Sequence, residues 1–155
     1  MTYANRTDVG SDRSRAEIER TLIRYGATEF QYGWTTAEAR IAFAIADRRV
    51  LFRLPLPDRR DPKFTHTPSR GTRRAPDAAD REYDQAVRQR WRALSLVIKA
   101  KLEAVEAGIT TVEQEFLAHI MLPDGSTVGE QVQPRIALAY EQGAVPALLP
   151  GPTGE

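Results

Sequence analysis

Residues 76–108 read PDAADREYDQAVRQRWRALSLVIKAKLEAVEAG, and this stretch decides the fold. Its apolar side chains recur every three or four residues, at Tyr83, Val87, Trp91, Leu94, Ile98, Leu102 and Val105. This is the period of an α-helix, so these side chains share one face. Pro76 and Asp77 favour a helix start, and Gly108 favours a stop. The stretch therefore predicts one long helix over residues 77–107, with an apolar face that must be buried.

The same helix carries a second, basic face. The residues of this face are Arg81, Arg88, Arg92 and Lys99. At about 100° per residue, they fall within roughly 40° of one another and about 110° from the centre of the apolar face. An arginine guanidinium binds phosphate through two parallel hydrogen bonds and stacks on aromatic rings, so a polyanionic partner is one interpretation. A simply solvated charged face is the other.

Upstream of the helix, three segments alternate apolar and polar residues with a period of two, which is typical of strands with one buried face. They cover residues 30–34, 41–45 and 50–54. The turns at residues 35–38 and 46–49 are short, so the strands are predicted to form an antiparallel meander. A sheet with one apolar face needs a cover, and the long helix is the available one.

Shorter helices are expected on both sides of this core. A capping box at residues 14–17 would begin an N-terminal helix that ends near Tyr25, before Gly26. A second capping box at residues 110–113 predicts another helix, and residues 130–142 predict the last one. The predicted fold is α+β, with a short N-terminal helix, a three-stranded antiparallel meander packed on one long helix, and two shorter C-terminal helices.

One domain is expected for a chain of 155 residues that is 41% hydrophobic. We predict a disordered lead over residues 1–13, a single α+β domain over residues 14–145 and a loose tail over residues 146–155. Residues 55–76 are rich in proline and arginine, and a connection of this length is either functional or disordered. The polar N-terminus lacks a hydrophobic signal region and no apolar run reaches the length of a membrane helix. A cytoplasmic location and no membrane partner are therefore expected.

Charge is strongly segregated along the chain, although the net charge is only +1. Residues 48–103 carry a net charge of +8, residues 1–47 carry −1 and residues 104–155 carry −6. Of the 22 cationic residues 19 are arginine, an excess that a GC-rich coding sequence would also produce. The basic middle third favours a polyanionic partner. The acidic last third leaves open a protein partner or pairing between the subunits of a homo-oligomer.

Metal-binding patterns are weak. The absence of cysteine excludes disulfides, thiolate zinc sites and a cysteine nucleophile. Glu115 and His119 lie four residues apart, with Asp124 nearby, whereas a transition-metal site needs three or four ligands. A structural or solvated role is the more common one for such residues. We therefore predict no metal and no cofactor.

Catalytic patterns are weaker still. Pro123 and Asp124 with Glu130 begin a nuclease-like pattern, but Val132 stands where the pattern needs a lysine. His66 could act as a base, but no nucleophile can be identified near it. Serine hydrolase motifs and phosphate-binding glycine loops are missing from the sequence. We predict a protein that is not an enzyme and has no catalytic residues.

Nucleic-acid binding has the most physical support. A row of cations neutralises phosphates and releases counterions. The candidate phosphate-binding residues are Arg59, Arg60, Arg70, Arg73, Arg74, Arg81, Arg88 and Arg92. Base stacking needs aromatic rings as well, and the candidates are Tyr32, Trp34, Phe64 and Tyr83. Trp34 and Tyr83 suit the core equally well.

Four stretches of the chain resemble small uncharacterised proteins encoded by phages and prophages. They are residues 88–109 (RQRWRALSLVIKAKLEAVEAGI), 115–120 (EFLAHI), 122–125 (LPDG) and 24–27 (RYGA). This resemblance extends over most of residues 14–150 and implies no activity. In topology, a β-β-β-α core with a preceding helix is similar to single-strand annealing proteins of the Rad52 type, which phages commonly encode.

The two resemblances and the charge pattern lead to one functional hypothesis. We expect a small phage or mobile-element protein that binds nucleic acid, with single-stranded DNA as the ligand, as an accessory to replication or recombination. The alternative is an interaction protein that docks on or inhibits a host or phage enzyme.

Overall fold

The computed structural model describes residues 3–149 and 151, with side chains from Ser11 onwards. The elements follow the order α1 (Tyr3–Arg24), β1 (Glu29–Trp34), β2 (Glu38–Ile45), β3 (Arg48–Pro55), α2 (Pro62–Thr65), α3 (Pro76–Glu106), α4 (Val112–Glu115), a 3-10 turn (Leu117–His119) and α5 (Val128–Gln142). The fold is α+β, as the sequence predicts. It combines an N-terminal helix, an antiparallel sheet in the order β1-β2-β3, one 31-residue helix and shorter C-terminal helices.

The sheet is a meander with one apolar and one charged face. The turn from β2 to β3 consists of Ala46 and Asp47, whose φ angles are 49° and 56°. Two successive residues in this left-handed region form the hairpin turn that matches the twist of paired strands. On the charged face, arginine and glutamate side chains pair across strands, as Arg53 does with Glu38 at 3.3 Å. The apolar face is the one that the helices cover.

Helix α3 packs against this apolar face with six of the seven predicted side chains, whereas Val105 is only half-buried. The buried residues of α3 are Tyr83, Asp84, Val87, Trp91, Leu94, Ser95, Ile98 and Leu102. Trp91 is 1% exposed, and its ring centroid lies 5.6 Å from that of Tyr32 on β1. The prediction that Trp91 lies between helix and sheet is therefore confirmed, with Tyr32 as its ring partner. The expected partners Phe43 and Phe52 pack edge-on against Phe116, at 5.7 and 6.1 Å.

Helix α1 differs from the prediction at its start. The helix begins at Tyr3, so Ser14 lies inside it and is not its cap. The expected disordered lead is therefore helical from residue 3, and residues 1 and 2 lie outside the described part of the chain. Ser11 and Ile18 are buried, and α1 packs against α3. Packing against a neighbouring helix stabilises helical turns even where their own sequence is polar. This is why the apolar pattern did not predict the first turns of α1.

The connection of residues 55–76 is an ordered part of the domain. Helix α2 lies within it, and its Phe64 is buried edge-on against Tyr83 of α3, with ring centroids 5.6 Å apart. A β-bridge between His66 and Arg73 closes the turn that follows. The sequence left a functional and a disordered interpretation open; the ordered contacts speak against disorder, and the functional interpretation stays a prediction.

The C-terminal part is attached through Phe116 and a short addition to the sheet. Phe116 is buried, and Ile120 forms an antiparallel bridge with Val50 of β3. Helix α5 begins after Thr127, whose side chain accepts a hydrogen bond from the Glu130 amide at 3.2 Å. The Glu130 carboxylate accepts one from the Thr127 amide at 3.0 Å, which completes a capping box. The helix thus starts two residues before the predicted position.

No side chain of α5 is buried among the described residues. Arg135 donates to the carbonyl oxygens of Ala147 and Leu149, so the tail folds back towards α5. Residues 146–149 of the predicted tail form neither helix nor strand, and residues 150 and 152–155 lie outside the described part. The exposed apolar side chains of this region are Ile136, Leu138, Tyr140, Val145, Leu148 and Leu149.

Candidate nucleic-acid interface

The eight arginines predicted to bind phosphate fall into two groups. One group pairs with the chain's own carboxylates and consists of Arg59, Arg60 and Arg74. The other group is exposed and forms no ion pair with a described residue. It consists of Arg70, Arg73, Arg81, Arg88 and Arg92, which we call the arginine track.

Arg74 has a structural role. Its side chain is 14% exposed, and Nη1 donates to the carbonyl oxygen of Lys63 at 3.2 Å. The same nitrogen lies 3.7 Å from the carboxylate of Glu82 on α3. Arg74 therefore fastens the loop to the start of the long helix, and we assign it to the loop rather than to phosphate.

Arg59 and Arg60 are neighbours with different environments. Nη1 of Arg59 donates to Asp80 at 2.8 Å, and the guanidinium lies 4.5 Å from the centroid of the Tyr83 ring. Burial raises the pKa of the Tyr83 phenol, with Arg59 acting in the opposite direction. The Arg60 side chain is 90% exposed, and its Nε lies 3.4 Å from the Asp58 carboxylate. Hydrogen bonds from the backbone and side chain of Arg60 lower the pKa of Asp58, so this carboxyl is ionised at neutral pH.

The arginine track follows the outer face of α3. Arg81 and Arg92 are eleven residues apart, which corresponds to about 17 Å at 1.5 Å per residue. By helical spacing, Asp77 begins this face, and the positions that follow are 81, 85, 88, 92, 96 and 99, none of which is acidic. Arg70 and Arg73 belong to the turn that leads into α3. From position 81 to position 99 the face thus carries cations and no carboxylate.

A cavity of about 640 Å³ lies on the inner side of the first half of α3. Among the described residues, its aromatic lining consists of Tyr32 and Trp34 from β1 and of Tyr83 and Trp91 from α3. The turn of residues 35–37 and the start of the long loop, residues 56–60, complete much of the wall. This cavity was not predictable from the sequence, because it forms between segments that are distant in the chain.

Of the four aromatic residues predicted to stack on bases, Trp34 is the exposed one. Phe64 and Tyr83 are buried in the core. Tyr32 is half-buried, with the guanidinium of Arg15 4.2 Å from its ring centroid. Trp34 is 55% exposed, although it follows the same alternation as the inward-facing residues of β1. In the sequence, the indication of this site is a tryptophan at the end of a strand in which apolar and polar residues alternate.

The three residues considered as metal ligands each interact with a different partner. Glu115 pairs with Lys101 at 3.2 Å, and Asp124 accepts hydrogen bonds within its own turn. The ring of His119 lies parallel to that of Phe52, with centroids 3.9 Å apart, and burial lowers its pKa. Within the described residues, no group of three or more His, Cys, Asp or Glu is arranged to hold a metal ion.

Comparisons with protein-family models, with curated proteins and with solved structures gave no match. Among the helices of residues 3–149, none has both the length and the apolar composition needed to cross a bilayer. The function must therefore be inferred from the chemistry of the arginine track and the cavity.

Proposed function

We propose that this protein binds nucleic acid, with single-stranded DNA as its ligand, and acts as an accessory in the replication or recombination of a phage or mobile element. The observation that carries the proposal is the arginine track. On the charged face of the sheet, arginines such as Arg49 and Arg53 pair with glutamates. On α3, Arg81, Arg88 and Arg92 share an exposed face and form no ion pair with a described residue, so their charge is left for a partner.

Phosphate groups are the partner that this chemistry fits best. Arginine binds phosphate oxygens through paired hydrogen bonds, and a row of cations releases condensed counterions when it binds a nucleic acid. Proteins that bind single strands combine such a row with aromatic rings on which unpaired bases stack. Trp34 and the aromatic cavity supply that second component near the first half of α3. Their presence favours single strands over duplex DNA, in which the bases are already stacked.

Fluorescence anisotropy of a labelled single-stranded oligonucleotide, titrated at several salt concentrations, tests the proposal. The logarithm of the affinity should fall linearly with the logarithm of the salt concentration. The double variant Arg88→Gln/Arg92→Gln should bind more weakly and lose roughly 0.7 units of slope for each phosphate contact removed. A duplex of the same sequence should bind less tightly than the single strand.

The matched control is Arg48→Gln/Arg49→Gln. It removes the same charge from two arginines that pair with Glu113 and Glu29. The control should retain most of the affinity and the salt slope, because its residues lie outside the track. Equal losses in both double variants would show that binding depends on net charge alone, and absence of binding at low salt would refute the proposed function.

A second candidate function is docking on another protein, either a host or phage enzyme or a second copy of this chain. The observation that favours it is the exposed apolar surface of α5, including Ile136 and Tyr140. Light scattering over a concentration series would detect a homo-oligomer. Capture of partners after nuclease treatment, compared between the natural chain and Ile136→Asp/Tyr140→Asp, separates a protein partner from one bridged by nucleic acid. Equal recovery by both chains would count against this surface.

A further inference from the structure

The cavity beside α3 has the size and lining of a ligand site. Its volume of about 640 Å³ lies within the range of roughly 300–1,000 Å³ that small-molecule sites occupy. Aromatic rings from both β1 and α3 line it, and its charged lining residues are Asp58, Arg59 and Arg60. Such sites are mostly apolar, with a few polar groups that orient the ligand.

Trp34 is the lining residue that folding explains least. It is 55% exposed, whereas Trp91, the other tryptophan of the chain, is 1% exposed. Covering a tryptophan ring is strongly favourable, because its large apolar surface leaves water. An uncovered indole at the border of a cavity therefore offers a flat ligand a surface on which to stack.

Arg59 and Arg60 contribute to the cavity in different ways. Arg59 is held by Asp80 at 2.8 Å and lies on the Tyr83 ring, so it forms part of the wall. Arg60 is held more loosely, by an exposed ion pair with Asp58 at 3.4 Å. Exposed ion pairs contribute little free energy, so an anionic ligand can take the place of the carboxylate at Arg60.

We propose that this cavity binds one nucleotide, with its base stacked on Trp34 and its phosphate held by Arg60. A nucleotide combines the two properties that the site matches, a flat aromatic ring and an anionic group beside it. Two sources offer this chemistry: a base of a bound single strand, and a free nucleoside monophosphate. For the first source, the inference rests on the proposed function, because that source is a bound single strand.

Two probes and three variants test the proposal. The probes are deoxyadenosine monophosphate, followed by isothermal titration calorimetry, and a labelled single-stranded oligonucleotide, followed by anisotropy. Trp34→Ala should weaken binding about 5- to 150-fold, the loss of one stacked base, and Trp34→Phe should restore most of it. Ile109→Ala is the control, since Ile109 is 81% exposed and does not line the cavity. Circular dichroism establishes that each variant is folded.

The outcomes separate the two proposals. If both probes bind and Trp34→Ala weakens both, the cavity takes a base of the strand, and both proposals stand. If the monophosphate binds in a Trp34-dependent manner and the oligonucleotide does not bind, the ligand is a free nucleotide and the proposed function fails. If the oligonucleotide binds equally well to the natural chain and to Trp34→Ala, the cavity inference is overturned and the arginine track stands. If neither probe binds, both proposals fail.

Discussion

Replacing Trp91 by alanine tests how the long helix packs on the sheet. Trp91 is 1% exposed, and its ring lies 5.6 Å from that of Tyr32 at an interplanar angle of 57°. Removing a buried tryptophan side chain costs about 3–5 kcal/mol. The aromatic pair accounts for about 0.5–1.5 kcal/mol of this beyond the loss of buried area. Because Trp91 also borders the cavity, truncation enlarges a space that already exists, and we expect a loss of about 3 kcal/mol, at the lower end of this range.

Urea denaturation followed by circular dichroism measures this loss. The matched control is Leu96→Ala on the same helix, where the side chain is 58% exposed and the expected change is about 0.5 kcal/mol or less. A small domain has a total stability of about 5–15 kcal/mol, so the difference between the two variants is easily resolved. Equal and small effects would mean that the apolar face of α3 does not contact the sheet. The outward orientation of the arginine track would then be wrong as well.

Two further predictions concern the C-terminal half. Burial lowers the pKa of His119 from 6.5. The unfolded chain therefore binds a proton at the His119 imidazole more readily than the folded chain does. As a result, the free energy of unfolding should fall as the pH drops below about 6.5. His119→Gln should remove that part of the pH dependence in urea denaturation, and an unchanged profile would contradict the assignment. A Cβ at Gly129 would lie 2.8 Å from the carbonyl oxygen of Ala118, so Gly129→Ala should destabilise the attachment of α5 by about 1–3 kcal/mol. Gly33→Ala, where a Cβ meets nothing within 4 Å, is its control, and equal thermal stability of the two variants would refute the close contact.

Elements with a regular apolar period were predictable from the sequence. The alternation in the three strands and the spacing of Tyr83 to Leu102 each specify which face is buried. Turn residues then fix where the elements end: Gly143, at a φ of 65°, ends α5 where the sequence places its stop. In these segments the local preference and the tertiary packing agree, so the sequence alone is sufficient.

Features that depend on contacts between distant segments were not predictable. The first turns of α1 lack an apolar period, and Phe116 gives no sign in the sequence that it packs between Phe43 and Phe52. The arginines of the candidate interface look alike in the sequence, but the structure separates Arg74, bound to loop carbonyls, from Arg88, exposed on α3. Side-chain partners decide this difference, and they are not encoded in local spacing.

The attachment of α5 has a consequence for the dynamics of the chain. The helix is held at its first turn and none of its side chains is buried among the described residues, so its opening exposes little apolar surface of its own. Its amide hydrogens should exchange through local opening, whereas those of α3 exchange only when the whole domain unfolds. An isolated helix of 15 residues is only marginally stable in water. A segment of this kind can refold in the geometry that a partner imposes, so that folding and binding become a single step.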